Sequence, residues 1–243
     1  MNSDELLRDT LTQLEEFADP EFAAGVRNFF KEPVDPYGVR SVQLARVERE
    51  VYHALKSWPA AQRNRFYTEL WKTGKLEAGV LVCHVYRKFK ADCGSLEFEL
   101  FERWLDRFVH NWAHTDGVAS WLLAACVQNE PNLIARLPDW TTSKNRWKRR
   151  ASAVALLQEA KQGRSTQAIF EIASLLLADP DPMVQKGVGW LLKETYPKKP
   201  AETVGFVLSN LDRTSRLTVR YAAEKMTAGD RLRVLRPRSP AVI

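Results

Sequence analysis

Apolar residues recur at three- and four-residue intervals along nearly the whole chain, and stretches alternating with period two are almost absent. In "DELLRDTLTQLEEF" Leu7, Leu11, Leu14 and Phe17 fall on one stripe; in "VRSVQLARVEREVYHAL" Leu44, Val47, Val51 and Leu55 do the same. Such spacing gives an α-helix one face to bury. Between the stripes come "DPEF", "EPVDPYG", "SWPA", "TGK", "DCGS", "NEPN", "LPDW", "KQGRS", "DPDP" and "YPKKP". Each stops a helix, through a proline that lacks an N–H or a polar or glycine turn that leaves helical geometry. The pattern predicts an all-α protein of about a dozen helices, each near the usual three turns.

A weak repeat runs through the second half. "NRWKRRASAVALL", "DPMVQKGVGWLLKE" and "DRTSRLTVRYAAEKM" can be superposed with Arg150, Lys186 and Arg220 in equivalent places, 36 and 34 residues apart. Each unit opens with a polar or proline-containing turn, then a basic residue, then a helix mixing small and bulky apolar side chains. Helix pairs at that period predict an α-solenoid of HEAT-like repeats, each pair burying its face against its neighbours. A concave groove lined by the three basic positions would follow. Coincidental likeness among amphipathic helices is the competing explanation. The chain is read as one repeat domain over residues 1–243, with a basic, proline-containing tail from about residue 227 ("RLRVLRPRSPAVI").

Composition narrows the function. With 243 residues and 45 % hydrophobic content the chain can build a sizeable core. Its longest apolar run, Gly117 to Val127, is too short for a membrane span. The acidic start "MNSDELLRDT" lacks the apolar stretch of a secretory signal, so a cytoplasmic protein is expected. Cys83, Cys93 and Cys126 have neither the number nor the spacing of a disulfide framework or a zinc site. Charge is divided unevenly: residues 1–140 hold 17 Lys/Arg against 21 Asp/Glu, and residues 141–243 hold 19 against 9. The basic half fits a polyanionic partner, most simply a phosphate backbone, or else a solvated basic face.

Few residues can carry chemistry. His110 and His114 stand four apart, but Asn111 occupies the place of the glutamate that a zincin helix requires, so no metal is expected. Nucleophile elbows and glycine-rich phosphate loops are missing. What remains is tryptophan, carboxylate and arginine. In "HNWAHTDGVASW" Trp112 and Asp116 share a helix face if the helix runs through both; alternatively Asp116 caps a helix beginning at Gly117. Trp190 sits in "GVGWLLKE", where Gly187 and Gly189 cost helix stability but permit close approach. Arg150 ends "NRWKRR", near the start of a helix, free for a phosphate or half of an ion pair. Both tryptophans have core packing as their ordinary alternative.

At these residues the chain resembles a known family. "FVHNWAHTDGVAS", "NRWKRRASAVALL" and "DPMVQKGVGWLLKETYPKKP" are similar, in order and separation, to the AlkD family of DNA alkylation repair glycosylases, which are built of HEAT-like repeats. "DPYGVRSVQLARV" resembles that family's early turn and helix, with Val42 in place of an expected proline. The likeness spans roughly residues 20–226. It implies that Asp116 is the catalytic carboxylate, Trp112 and Trp190 the aromatic contacts, and Arg150 an arginine beside the DNA backbone; the basic cluster and the repeat add Lys148, Arg149, Lys186 and Arg220 as candidate phosphate contacts. It also implies excision of cationic alkylated purines (N3-methyladenine, N7-methylguanine) from double-stranded DNA without a cofactor. A monomer with no obligate protein partner and no membrane is expected. Gly25 stands where a larger, possibly aromatic residue is expected, and His114-Thr115 fill variable positions, which bears on substrate range. A non-catalytic HEAT-like DNA-binding or scaffold module is the alternative; it would not need the Trp112–Asp116 pair.

Overall fold

The computed structural model describes residues 2–236, and within them the chain is helix after helix, as the periodicity predicts. The nearest approach to sheet among the described residues is an isolated bridge between Asp35 and Lys75. None of the described helices is long and apolar enough to cross a membrane. Contacts divide the chain into two compact units, with the boundary between Asn129 and Glu130.

The first unit contains α1 (Ser3–Glu16), α2 (Pro20–Phe29), α3 (Ser41–Leu55), α4 (Ala60–Lys72), α5 (Leu76–Tyr86), α6 (Ser95–Arg107), α7 (Trp112–Gly117) and α8 (Ala124–Asn129). The α3 stripe is buried as predicted, at Leu44, Val47, Val51 and Leu55. The α1 stripe is rotated: its buried residues are Leu6, Thr10 and Leu14, not Leu7, Leu11 and Phe17. Thr10 can turn inward because its own hydroxyl is paired, donating to Leu6 O at 2.7 Å.

At the centre lies α5, which packs on α3, α4 and α7. An aromatic core surrounds it. Tyr67 and Tyr86 ring centroids are 4.9 Å apart, Tyr86 and Phe101 5.0 Å, and Trp71 and Trp104 6.0 Å. At its edge Tyr86 OH donates to Asn64 Oδ1 and Trp104 Nε1 donates to Thr68 Oγ1. The loop into α3 turns at Gly38 (φ +87°), where a Cβ would lie 2.1 Å from Asp19 O. Only glycine fits there. Glu77, buried on α5, secures this loop by accepting from the N–H groups of Tyr37, Gly38 and Val39 at 2.9, 2.8 and 3.1 Å.

The second unit contains α9 (Leu137–Trp140), α10 (Arg146–Val154), α11 (Leu157–Gln162), α12 (Thr166–Leu176), α13 (Pro182–Thr195), α14 (Pro200–Ser209), α15 (Arg216–Ala222) and α16 (Ala228–Leu235). Its organising helix is α13, which packs against both α10 and α15. Each of the three is N-capped by a short polar side chain: Asn145, Asp181 and Ser215 accept from Trp147 N, Met183 N and Thr218 N. Arg150, Lys186 and Arg220 then follow their caps at the same interval and take equivalent places near the helix starts. The expected tail is partly a helix. In α16 Val234 is buried and Asp230 accepts from Tyr196 OH at 2.8 Å, so this segment docks rather than dangles; residues 237–243 lie outside the described residues.

Candidate active site

In the first unit, the helix carrying Trp112 and Asp116 begins earlier than a cap at Asp116 would allow. Its N-cap is Asn111, whose Oδ1 accepts from His114 N at 2.9 Å, and Asp116 lies within α7. Trp112 and Asp116 therefore stand one helical turn apart on the same face. Both are half-buried. Beyond Asp116 the chain continues through a π-helical stretch, Val118–Leu123, into α8. The wider turn falls where the helix is apolar on nearly every side: Val118, Ala119, Leu122, Leu123 and Ala124 are all buried. Irregularities of this kind are common beside functional residues.

His114 anchors the turn from beneath. Its Nε2 donates to Leu76 O at 2.9 Å, which leaves Nδ1 to accept from Asn111 Nδ2 at 3.1 Å. The ring meets Trp71 edge-on at 4.9 Å, over Gly79, where a Cβ would come within 2.5 Å of Nε2. Burial lowers its pKa to about 4, with a small push from His110, so the imidazole is neutral at pH 7. His114 is a packing and positioning residue that ties α7 to α5. His110 precedes the N-cap, so the two histidines do not share a helix face. Among the described residues no group of three or more His, Cys, Asp and Glu is placed to hold a metal ion.

Trp112 belongs to an aromatic cluster that the sequence did not reveal. Phe30 stacks on the indole at 5.2 Å and 17°, and Phe29 approaches it edge-on at 5.9 Å and 68°. Both phenylalanines come from the end of α2, about eighty residues earlier. Val42, in place of the expected proline, sits exposed in the first turn of α3.

In the second unit the predicted cations divide by environment. Arg149 is turned inward: Nε and Nη2 form a two-point pair with Asp179 at 2.6 and 3.2 Å, and Nη1 donates to Ser143 O at 2.8 Å. These contacts staple the "DPDP" turn to α10. Arg150 is also buried, 5 % exposed, and its Nη1 donates to Met183 O. Gly187 makes this possible, since a Cβ there would sit 3.2 Å from Arg150 Cγ. Arg150 is thus a fixed cation between α10 and α13 rather than a mobile surface charge. Lys148 lies over Trp140 at 5.5 Å and Lys186 over Tyr221 at 6.0 Å, both half-buried, while Arg220 is exposed.

Trp190 is half-buried on α13, with its N–H donated to Glu194 Oε1 at 3.3 Å. The other oxygen of Glu194 accepts from Lys225 Nζ at 2.6 Å. This relay fixes the indole orientation, and its glutamate was legible only as the last letter of "GWLLKE". Gly189 serves close packing: a Cβ there would be 2.5 Å from Tyr221 Cβ and 2.8 Å from Thr218 O.

An all-α chain with an aromatic–carboxylate turn in one unit and aligned cations in the other has the features of a protein that works on a polyanion. Comparison with known proteins makes this specific. Residues 10–226 match the family model described as "DNA alkylation repair enzyme", and the chain belongs to that family. Its place there supports a role in DNA alkylation repair, with DNA as partner. A solved structure described as "Predicted DNA alkylation repair enzyme from Enterococcus faecalis" shares the fold, with a TM-score of 0.78 at 14 % identity over 87 % of this chain and 97 % of that one. A search of curated proteins finds no match.

Proposed function

We propose that the protein is a DNA glycosylase that removes cationic alkylated purines from double-stranded DNA, with Asp116 as its catalytic carboxylate. The observation that carries this reading is the anchored turn of α7. It presents an aromatic face and a carboxylate side by side, held from below by a neutral histidine and a capping asparagine. Membership in an alkylation repair family supplies the context.

The chemistry suits a site this sparse. Alkylation at N3 of adenine or N7 of guanine puts a positive charge on the base. When the C1′–N bond breaks, its electron pair neutralises that charge, so the base leaves without a proton donor. Positive charge then grows on the deoxyribose, as in glycoside hydrolysis. A fixed carboxylate stabilises it and orients the water that adds to C1′ and gives up a proton, leaving an abasic site. Trp112 would offer a π face to the cationic nucleotide, a desolvated contact worth about 2 kcal/mol, and Trp190 would offer an aromatic surface of its own to the DNA. Arg150 would supply a fixed positive charge, and Lys148, Lys186 and Arg220 would hold phosphates, positioning the duplex without reading its sequence. No cofactor or metal is needed for these steps, and the monomer suffices.

The test is release of free modified base from methylated duplex DNA by the wild type and by Asp116→Asn. Excision should fall by roughly 10²-fold or more in the variant, with duplex binding retained. Equal release by both would remove Asp116 from the mechanism. Binding by the wild type with no release would mean a DNA-binding module that has the fold without the reaction.

A further inference from the structure

Phe29 is an anomaly for a side chain of its kind. It is the last residue of α2 and is 72 % exposed, although burying a phenylalanine ordinarily gains about 2 kcal/mol. Its position is not random. The ring stands at 68° to the indole of Trp112, 5.9 Å away, while Phe30 covers one face of that indole by stacking at 17°. With that face covered, Phe29 and Trp112 form a corner of two aromatic planes. One helical turn before Phe29, Gly25 leaves the same side of α2 open, since a Cβ there would meet nothing within 4 Å.

A corner of aromatic faces has a definite chemical preference. Each face carries the negative lobe of a quadrupole, and two at a steep angle attract a compact, weakly hydrated cation from two sides. Such cages recognise methylated ammonium groups. A neutral planar ligand would gain more from parallel faces, which this geometry does not offer. With Asp116 one turn from Trp112 on α7, the corner and the carboxylate both favour positive charge.

We propose that Phe29 is a specificity-determining residue, which with Trp112 forms the walls of an aromatic corner that selects a positively charged nucleotide over a neutral one of the same shape. This rests on the glycosylase reading and names what in the site discriminates between lesions. Phe29 touches the charged nucleotide; it takes no part in bond breaking.

The test compares two duplexes, each with a single abasic analogue: a neutral tetrahydrofuran and a pyrrolidine that is protonated at pH 7. Dissociation constants are measured by fluorescence anisotropy for wild type, Phe29→Leu and Phe29→Tyr, alongside base release from methylated DNA. The wild type should bind the cationic analogue at least tenfold more tightly. Phe29→Leu, which keeps apolar bulk but loses the π face, should lose about fivefold of that preference with affinity for undamaged duplex unchanged. Phe29→Tyr should retain it. Because Phe29 is exposed, none of these changes puts the fold at stake. An unchanged preference in Phe29→Leu, or no preference in a wild type that does release base, would overturn the role of Phe29 alone. A wild type that releases no base and shows no preference would overturn the glycosylase reading with it.

Discussion

Lowering the pH from 7 to 5 perturbs His114 in a way the fold makes calculable. The folded protein holds its pKa at about 4, against about 6.5 for an unperturbed imidazole, because burial of the ring, helped by the nearby His110, outweighs the opposing hydrogen bond from Nε2 to Leu76 O. The folded value lies below the unfolded one. Between pH 6.5 and pH 4, therefore, the unfolded chain carries a proton that the native chain excludes. His114 costs nothing well above pH 6.5, and stability drains away as the pH falls toward 4. The linkage amounts to about 2 kcal/mol between pH 7 and pH 5, and about 3 kcal/mol at the acid limit. Other groups titrate over the same range, so the comparison must be with His114→Gln, whose amide can still donate to Leu76 O but does not ionise. Urea unfolding followed by far-ultraviolet circular dichroism at pH 7, 6 and 5 would give both stabilities. The gap between wild type and variant should close, or change sign, as the pH falls. A gap that stays constant from pH 7 to pH 5 would mean that His114 is hydrated and protonates freely. The anchoring of the Trp112–Asp116 turn argued above would then be wrong.

Other outcomes follow from the same contacts. Glu194→Gln should weaken the hold of Lys225 on the group that orients Trp190, lowering excision severalfold while shifting the melting temperature only slightly; unchanged rates would show that Trp190 needs no such guide. Gly189→Ala places a Cβ against Tyr221 and the α15 backbone and should cost about 1–3 kcal/mol in urea unfolding, whereas Gly25→Ala, with nothing within 4 Å, should be neutral or stabilise by about 0.5–1 kcal/mol. Lys186→Ala and Arg220→Ala should each lower the slope of log K against log salt on undamaged duplex by about 1, while Arg149→Ala should destabilise the fold without a comparable slope change. Glu77→Ala, which strands three backbone donors, should cost about 3 kcal/mol and speed amide exchange at residues 37–39.

What could be read in the sequence had a local physical basis. Helix periodicity repeats within a few residues, so the all-α class and most helix ends followed from apolar spacing and from prolines and glycines. The register linking Arg150, Lys186 and Arg220 was legible for a similar reason: each follows a capping side chain by a fixed count, and capping is a short-range hydrogen bond. The pairing of Trp112 with Asp116 was visible as a spacing, and the family resemblance singled it out.

The remainder depended on partners distant along the chain. Whether Asp116 capped a helix or lay inside one turned on Asn111 and on the docking of His114 against Leu76, 38 residues away. Arg149 and Arg150 are neighbours in an unbroken basic run, yet Asp179 draws one inward and the gap at Gly187 lodges the other against Met183. Phe29 and Phe30 reach Trp112 from another helix altogether. The α1 stripe rotated by one residue because a threonine could satisfy its hydroxyl within its own helix. By itself, then, the sequence determined the helices, their caps and the candidate residues, since those depend on short-range periodicity and hydrogen bonding. Which side chains face one another, which charges are neutralised and where an aromatic face stays open were decided only by tertiary packing, because burial and pairing energies belong to contacts between distant segments.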